Sequence, residues 1–261
     1  THGTAITLVA DPAAGAYFGG FEGGCTAIGR TCPMTVTSDT TITATFTPAN
    51  RTFTTATAYT LAEVKAFATD ASTEATKMRS GADAICQSLG GAPTFRAYLA
   101  SVSENAITRL PNGARGFVRA DGRPFKTRLE PTSPTFYPPN LDQTGAVVSG
   151  VVSSTLWTGA DRFGAGSSQR SCGDWTSGQV NLGLFDSGAT GWTAFGQNTC
   201  ASTARHHLLC LDPAYRADVA PSAPPANARL VFVTRGTFDP QSGVDGADAL
   251  CESEAATHLP G

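Results

Sequence analysis

The sequence predicts a β-rich α+β protein, stapled by disulfides and assembled from modules. Three observations carry that reading. Only 15% of the 261 residues are charged, while 28 are glycine and 16 proline, the profile of a loop-rich extracellular chain rather than a set of solvated helices. Seven cysteines stand at 25, 32, 86, 172, 200, 210 and 251 with no Cys-x-x-Cys pair. The four histidines complete no zinc spacing, so disulfides in an oxidising compartment are the expected use of the thiols. Third, Gly81-Ala82-Asp83-Ala84-Ile85-Cys86 returns as Gly246-Ala247-Asp248-Ala249-Leu250-Cys251, the mark of a tandem module.

The elements follow in order. Residues 1–50 read as short strands and turns: 5–10 and 41–46 are β-rich, 35–37 lies between them, and five glycines from Gly15 to Gly24 punctuate the middle. Ile42, Ala44 and Phe46 alternate with threonines, predicting a half-buried strand. Cys25 and Cys32 are placed to close a short loop worth roughly 2–3 kcal/mol in the chain-entropy model.

Residues 51–216 form the main domain. Apolar positions 61, 64 and 67 give a short amphipathic helix over 61–68. Ser80 is the expected N-cap of a helix over 81–89, with Gly90-Gly91 as its stop. Strands are expected at 95–99, 116–119, Thr155–Trp157 and 207–211, separated by Pro/Gly/Ser-rich loops. Residues 217–228 read as a Pro/Ala linker. A strand at 230–234 and the second Gly-Ala-Asp helix then begin a further copy over 229–261, whose Cys251 expects its partner beyond residue 261.

The first segment resembles a bacterial surface repeat related to the internalin B repeat. The resemblance rests on Ala10-Asp11-Pro12-Ala13-Ala14-Gly15, on Phe18 to Cys25, on Cys32-Pro33-Met34-Thr35-Val36 and on Thr43-Ala44-Thr45-Phe46, with Phe21 where the repeat usually carries tryptophan. Such repeats are spacers, and this copy looks incomplete at its start.

The middle segment resembles the endostatin-like branch of the C-type-lectin-like fold, and a family of bacterial secreted domains of unknown function. It does so through Gly81 to Cys86, Thr94 to Ser101, Leu156-Trp157-Thr158-Gly159-Ala160-Asp161, Cys172-Gly173-Asp174-Trp175, Cys200 and His206-His207-Leu208-Leu209-Cys210. The resemblance implies a small β-repeat followed by a lectin-like domain and the start of a second one. It also implies nested disulfides, Cys86–Cys210 outside Cys172–Cys200, and buried Trp157 and Trp175.

Candidate sites are few. Trp192, between Gly191 and Thr193, is the candidate for an exposed sugar-stacking ring. Arg115, Arg119, Arg123, Lys126 and Arg128 concentrate five positive charges against Asp121, a segment suited to sulfated or acidic glycans. The calcium–sugar site of the lectin-like fold lacks its ligands: Glu130-Pro131 runs into Thr132, and Trp175 into Thr176. Only a variant from Glu130, Asn140, Asp142 or Asp174 is left. Asp83 reads as a first-turn residue stabilising exposed helix N–H groups, and Asp248 as its counterpart. His206 and His207 fall on opposite faces of a strand.

No hydrolase elbow, zincin or phosphate-loop motif occurs. The expectation is therefore a non-enzymatic module without cofactor or metal, extracellular or on the bacterial cell surface, within a large surface or secreted fibre protein. It would act in adhesion or assembly through contacts with other protein subunits, its own copies in a homopolymer included, or with cell-surface glycans. The net charge of −3 does not suit nucleic acid, and no apolar run reaches membrane-spanning length. The alternative is a glycan- or polyanion-binding lectin using the basic loop 115–128 or the Trp192 loop.

Overall fold

Strands β1 (Thr4–Val9), β2 (Ala16–Gly23), β3 (Thr31–Val36) and β4 (Ile42–Pro48) form two antiparallel pairs, β1 with β3 and β2 with β4. In this computed structural model the described residues are 3–258, except 14, 26, 28, 112, 131–132, 149–153, 189, 202, 222–233 and 235. The glycines expected to interrupt residues 15–24 instead lie within β2. A register shift between Phe18 and Gly20 makes a bulge, and a Cβ at Gly23 (φ 99°) would lie 2.2 Å from the Thr41 carbonyl oxygen. Glycine is what allows that approach. Strand β4 is more open than its alternation predicts, for Phe46 is 45% exposed. Phe18 is the buried ring of the pair, 5.7 Å from Phe46. The Cys25–Cys32 disulfide links the end of β2 to β3.

The main sheet has the order β6–β12–β5–β7–β8, from β5 (Asn50–Thr54), β6 (Arg96–Ala97), β7 (Phe117–Arg119), β8 (Pro124–Lys126) and β12 (Leu209–Leu211). Its first strand follows the repeat after one residue, the buried Ala49. Strand β5 runs antiparallel to β12 and parallel to β7. A second sheet, β11–β10–β9, comprises β9 (Thr155–Trp157), β10 (Gln179–Leu184) and β11 (Gly196–Thr199).

Helix α1 (Leu61–Ala66) starts in a capping box: Glu63 N–H donates to Thr60 Oγ1, and Thr60 N–H donates to Glu63 Oε2. Helix α2 (Glu74–Gly90) begins seven residues before the expected Gly81, with Thr73 as N-cap. Ser80 therefore caps nothing; its hydroxyl lies inside the helix and donates to the Asp70 carbonyl. The αL C-cap is Gly91 (φ 69°), as the glycine pair suggested.

One apolar cluster joins α1, α2 and the strands through Val64, Met78, Ile85, Trp157 and Trp175. A second, on the other side, gathers Tyr98, Phe117, Phe125, Phe185 and Trp192. The disulfides implied by the resemblance are formed. Cys86–Cys210 ties α2 to β12 across 124 residues, and Cys172–Cys200 closes a loop of 28.

Two compact units divide the chain, Thr1–Ala223 and Pro224–Gly261. Residues 217–221 are not linker. Val219 is buried against Ala49 and Val118, and Thr127 Oγ1 donates to the Val219 carbonyl at 2.5 Å. In the second unit Asp239 caps a 3₁₀ turn, Pro240–Ser242, that leads into α3 (Gly243–His258). This helix contains the second hexapeptide, with Cys251 exposed and unpaired. Of the strand expected at 230–234, all but Thr234 lies outside the described residues.

Candidate functional site

The basic segment does not assemble into a surface cluster, because β7 and β8 turn its members in different directions. Arg119, 8% exposed, lies along Asp121 (Nη2–Oδ2 2.6 Å) and donates to Pro138 O and Asn140 Oδ1. Lys126 is fully buried. Its Nζ donates to Ser133 O at 2.5 Å and lies 5.5 Å from the Trp192 ring centre. Burial pulls its pKa down to about 8, against the raising influence of Glu130. Arg115 pairs with Asp218 at 3.3 Å. Arg123 reaches Asp121 at 3.7 Å and covers Tyr137, while Arg128 is exposed. Only Arg123 and Arg128 present most of their charge to solvent.

Trp192 corrects the expectation of an exposed ring. It is 1% exposed, packed against Tyr98 and Phe125 at 4.8 and 5.1 Å. The glycines around it serve close packing: a Cβ at Gly183 would lie 1.9 Å from the Trp192 carbonyl oxygen. The most exposed aromatic side chains of the loops, among the described residues, are Phe195 and Phe163, which sequence reasoning did not single out. Phe195 leads directly into the exposed strand β11, with its Gln197 and Asn198 amides. A run of polar residues beside one aromatic was the available signal.

Both histidines are structural. His206 packs edge-on against Trp157 and shares a 2.6 Å hydrogen bond with Thr155 Oγ1; burial holds its pKa down at about 4. His207 Nδ1 donates to Thr55 O at 2.6 Å and packs on Phe185. They point to opposite sides, and neither reaches solvent.

Asp83 lies mid-helix rather than in a first turn. Its carboxylate accepts from Ala97 N–H (2.8 Å) and from Arg109 Nη2 (2.8 Å), with Arg96 at 3.7 Å. Burial pushes its pKa up, opposed by Arg109, by the Ala97 bond and by Arg96. The aspartate of the hexapeptide thus pins β6 to α2.

Of the four residues weighed for a variant calcium site, Glu130 is exposed and the other three are engaged elsewhere. Asn140 accepts from Arg119. Asp142 Oδ1 accepts from Thr144 and Ala146 N–H, and Asp174 Oδ1 from Val102 N–H. Among the described residues no group of three or more His, Cys, Asp or Glu is arranged to hold a metal ion. Asp174 belongs to a left-handed turn in which Cys172, Gly173, Asp174 and Trp175 all have φ between 54° and 69°. Such a run is disfavoured for L-residues. Here the Cys172–Cys200 bridge, the buried Trp175 and its Nε1–H bond to Ala100 O (2.9 Å) hold it.

Three concavities flank these residues. A cleft of about 390 Å³ runs past Thr94, Arg96, Arg109 and Pro213. One of about 300 Å³ lies beside Ile107, Ala114, Leu129 and Glu130. A smaller one, about 120 Å³, lies between the end of α2 and the main sheet.

Comparison with known proteins places the first segment. Residues 1–50 match the divergent InlB B-repeat domain. No curated protein matches the chain. The B-repeat and the three disulfides are consistent with an extracellular location. Among the described residues no helix is long and apolar enough to cross a membrane.

Proposed function

We propose that the chain is a non-enzymatic module of a large bacterial surface or secreted protein, in which a B-repeat carries a C-type-lectin-like domain used in adhesion or assembly. The observation that carries this reading is the seating of the B-repeat directly on a disulfide-stapled domain, with one residue between the last strand of one and the first of the other. The lectin-like assignment is supported by the closing strand β12 beside the opening strand β5, by the staple from α2 to β12, and by the inner staple beneath the β9–β10–β11 sheet. The second hexapeptide in α3 supports the start of a further copy. Catalysis has little to work with, since His206, His207 and Lys126 are each buried in structural contacts.

The test is attachment and self-association of the intact chain. Electron microscopy and sedimentation should show rods or filaments, or beads coated with the chain should adhere to protein- or glycan-bearing surfaces. A monomer that adheres to nothing would sink this reading.

A second reading, a polyanion-binding lectin, has its support in Arg123 and Arg128. It predicts salt-sensitive retention on a sulfated glycan that Arg123→Ala with Arg128→Ala abolishes. Retention unchanged in that double variant rejects it.

A further inference from the structure

Strand edges are where a sheet can recruit another chain, because each presents a row of unpaired N–H and C=O groups. Most of the described edges are closed or interrupted. In β6 the outward Ala97 N–H donates to Asp83 Oδ1 and its carbonyl accepts from Arg109 Nη1, both at 2.8 Å. Strand β8 is bridged through Lys126 to Thr135. In β11 the Thr199 N–H is taken by Asn198 Oδ1. The β2–β4 pair carries the bulge at Phe18–Gly20, and β4 ends in Pro48, devices that blunt an edge.

Strand β1 is the exception. It pairs with β3 alone, and every residue from Thr4 to Val9 except Leu8 is exposed. The Ala10 N–H donates to Arg30 O at 2.8 Å in continuation of that ladder. This bond fixes the alternation: Ile6 and Leu8 bond to β3, whereas Ala5, Thr7 and Val9 direct their N–H and C=O away from it. Among the described residues nothing bonds to those outward groups. The far edge of the same ribbon is protected, since Pro33 stands opposite Thr7 and has no N–H to offer outward. Proline closes one edge; the other is left open.

The composition of β1 suits it to a second copy of itself. Thr-Ala-Ile-Thr-Leu-Val holds no charge, no proline and no glycine, so two copies meet without like-charge repulsion. Set antiparallel with Thr7 opposite Thr7, the strands bring Ala5 opposite Val9. Every outward N–H and C=O of these residues then has a partner on both copies. The same register places Ile6 opposite Leu8 on one face and the two threonines together on the other. Aliphatic and Thr–Thr pairs of this kind stabilise antiparallel strands. Hydrogen bonds and side chains thus select one register.

We propose that β1 is a homodimerisation strand: two copies of the chain pair β1 to β1 across a twofold axis at Thr7, joining their ribbons into one sheet ordered β3–β1–β1–β3. This contact serves the assembly reading above and rests on it, not on the lectin-like assignment.

Sedimentation of the intact chain over a concentration series tests it, with Cys251→Ser to remove dimers through the exposed thiol. The interface is one strand wide, so dimers should form on the order of tens of micromolar. Thr7→Pro removes an outward donor without touching the β1–β3 ladder and should weaken dimerisation about tenfold or more. Thr7→Lys and Thr7→Glu each set like charges face to face and should do the same alone. Mixed in equal amounts, the two charged variants should dimerise again. Circular dichroism checks the fold of each variant. A chain that stays monomeric well above that concentration range, dimers unchanged by Thr7→Pro or Thr7→Lys, or a mixture no tighter than either charged variant would each overturn the proposal. Slow amide exchange at Ala5, Thr7 and Val9 in a monomer would do so too, since another segment would then occupy the edge. A monomer that still adheres to surfaces would overturn this contact and leave the adhesion reading standing.

Discussion

At the residue scale the clearest consequence concerns His206. Burial against Trp157 keeps its imidazole neutral, with a pKa of about 4 in place of 6.5. Above pH 6.5 the ring is neutral in both folded and unfolded chains, and its contribution is fully present. As pH falls from about 6.5 to 4, the unfolded chain takes up a proton that the folded chain refuses. The His206 contribution should drop by about 3 kcal/mol over that window and level off below it. His207, whose pKa is also lowered by burial, acts in the same direction. Urea titrations at stepped pH should show the decline, and His206→Phe should flatten it; an equally steep decline in that variant would refute the assignment. The histidines' opposite orientations were legible in the sequence, because neighbours along a strand alternate. Their burial was not, since it depends on Trp157 arriving from β9 and Phe185 from the turn after β10. Trp192 was misread for a related reason. Glycine neighbours suggested exposure, yet Gly183 stands where the Trp192 carbonyl comes too close for a Cβ, and Gly191 where the Ser187 side chain does. The basic segment misled because proximity in sequence says nothing about which side of a strand each charge occupies.

The hexapeptide makes its prediction at the scale of elements. A Cβ at Gly81 would lie 2.1 Å from the Val64 carbonyl oxygen, so α1 and α2 meet at that glycine. Gly81→Ala must push the helices apart and should cost about 3 kcal/mol. The same change at Gly246 meets Ser242 Cβ at 2.4 Å, an atom that no side-chain rotation moves, so the exposed turn that opens α3 has to shift. Gly246→Ala should therefore cost about 1 kcal/mol, less than Gly81→Ala because the collision lies in an exposed turn rather than between two packed helices. Thermal and urea unfolding of the two variants would test this contrast; equal effects would mean the glycine serves the helix rather than its partner. The staples differ in a similar way. Removing Cys86–Cys210 should cost up to about 5 kcal/mol and removing Cys172–Cys200 about 3.5 kcal/mol in the chain-entropy model. Double Cys→Ala variants should rank in that order. The elements themselves were partly readable. The Gly90-Gly91 stop, the helix at 61–66 and strand β9 follow from local signals. The true start of α2 was hidden because Thr73 lies among Ser, Thr and Asp residues that could all cap a helix, and packing against α1 selects one.

For the whole molecule, the decisive feature is how the B-repeat is fastened to the stapled domain. Arg30 Nη1 donates to the Asp121 carbonyl at 2.7 Å, and the Tyr17 hydroxyl donates to the Ala220 carbonyl. Tyr17 also packs on the cluster of Ala49, Val118 and Val219. The chain leaving β12 returns across the junction: Asn50 Nδ2 donates to the Arg115 and Tyr215 carbonyls, and Tyr215 N–H donates to Asn50 Oδ1. Residues from before, within and after the main domain are thereby laced together, so Thr1–Ala223 should unfold as one cooperative unit. Gly122 offers the sharpest test. It has φ +72°, and a Cβ there would fall 2.6 Å from Pro12 Cγ in the repeat. Gly122→Val combines backbone strain with a collision at the junction and should cost about 2–3 kcal/mol. That loss acts on the seam between the two parts rather than on either core. Calorimetry should therefore change from one transition to two, with protease cleavage appearing first near Ala49. A single transition that merely shifts downward would show that Gly122 supports the β7–β8 turn alone and that the seam is held elsewhere.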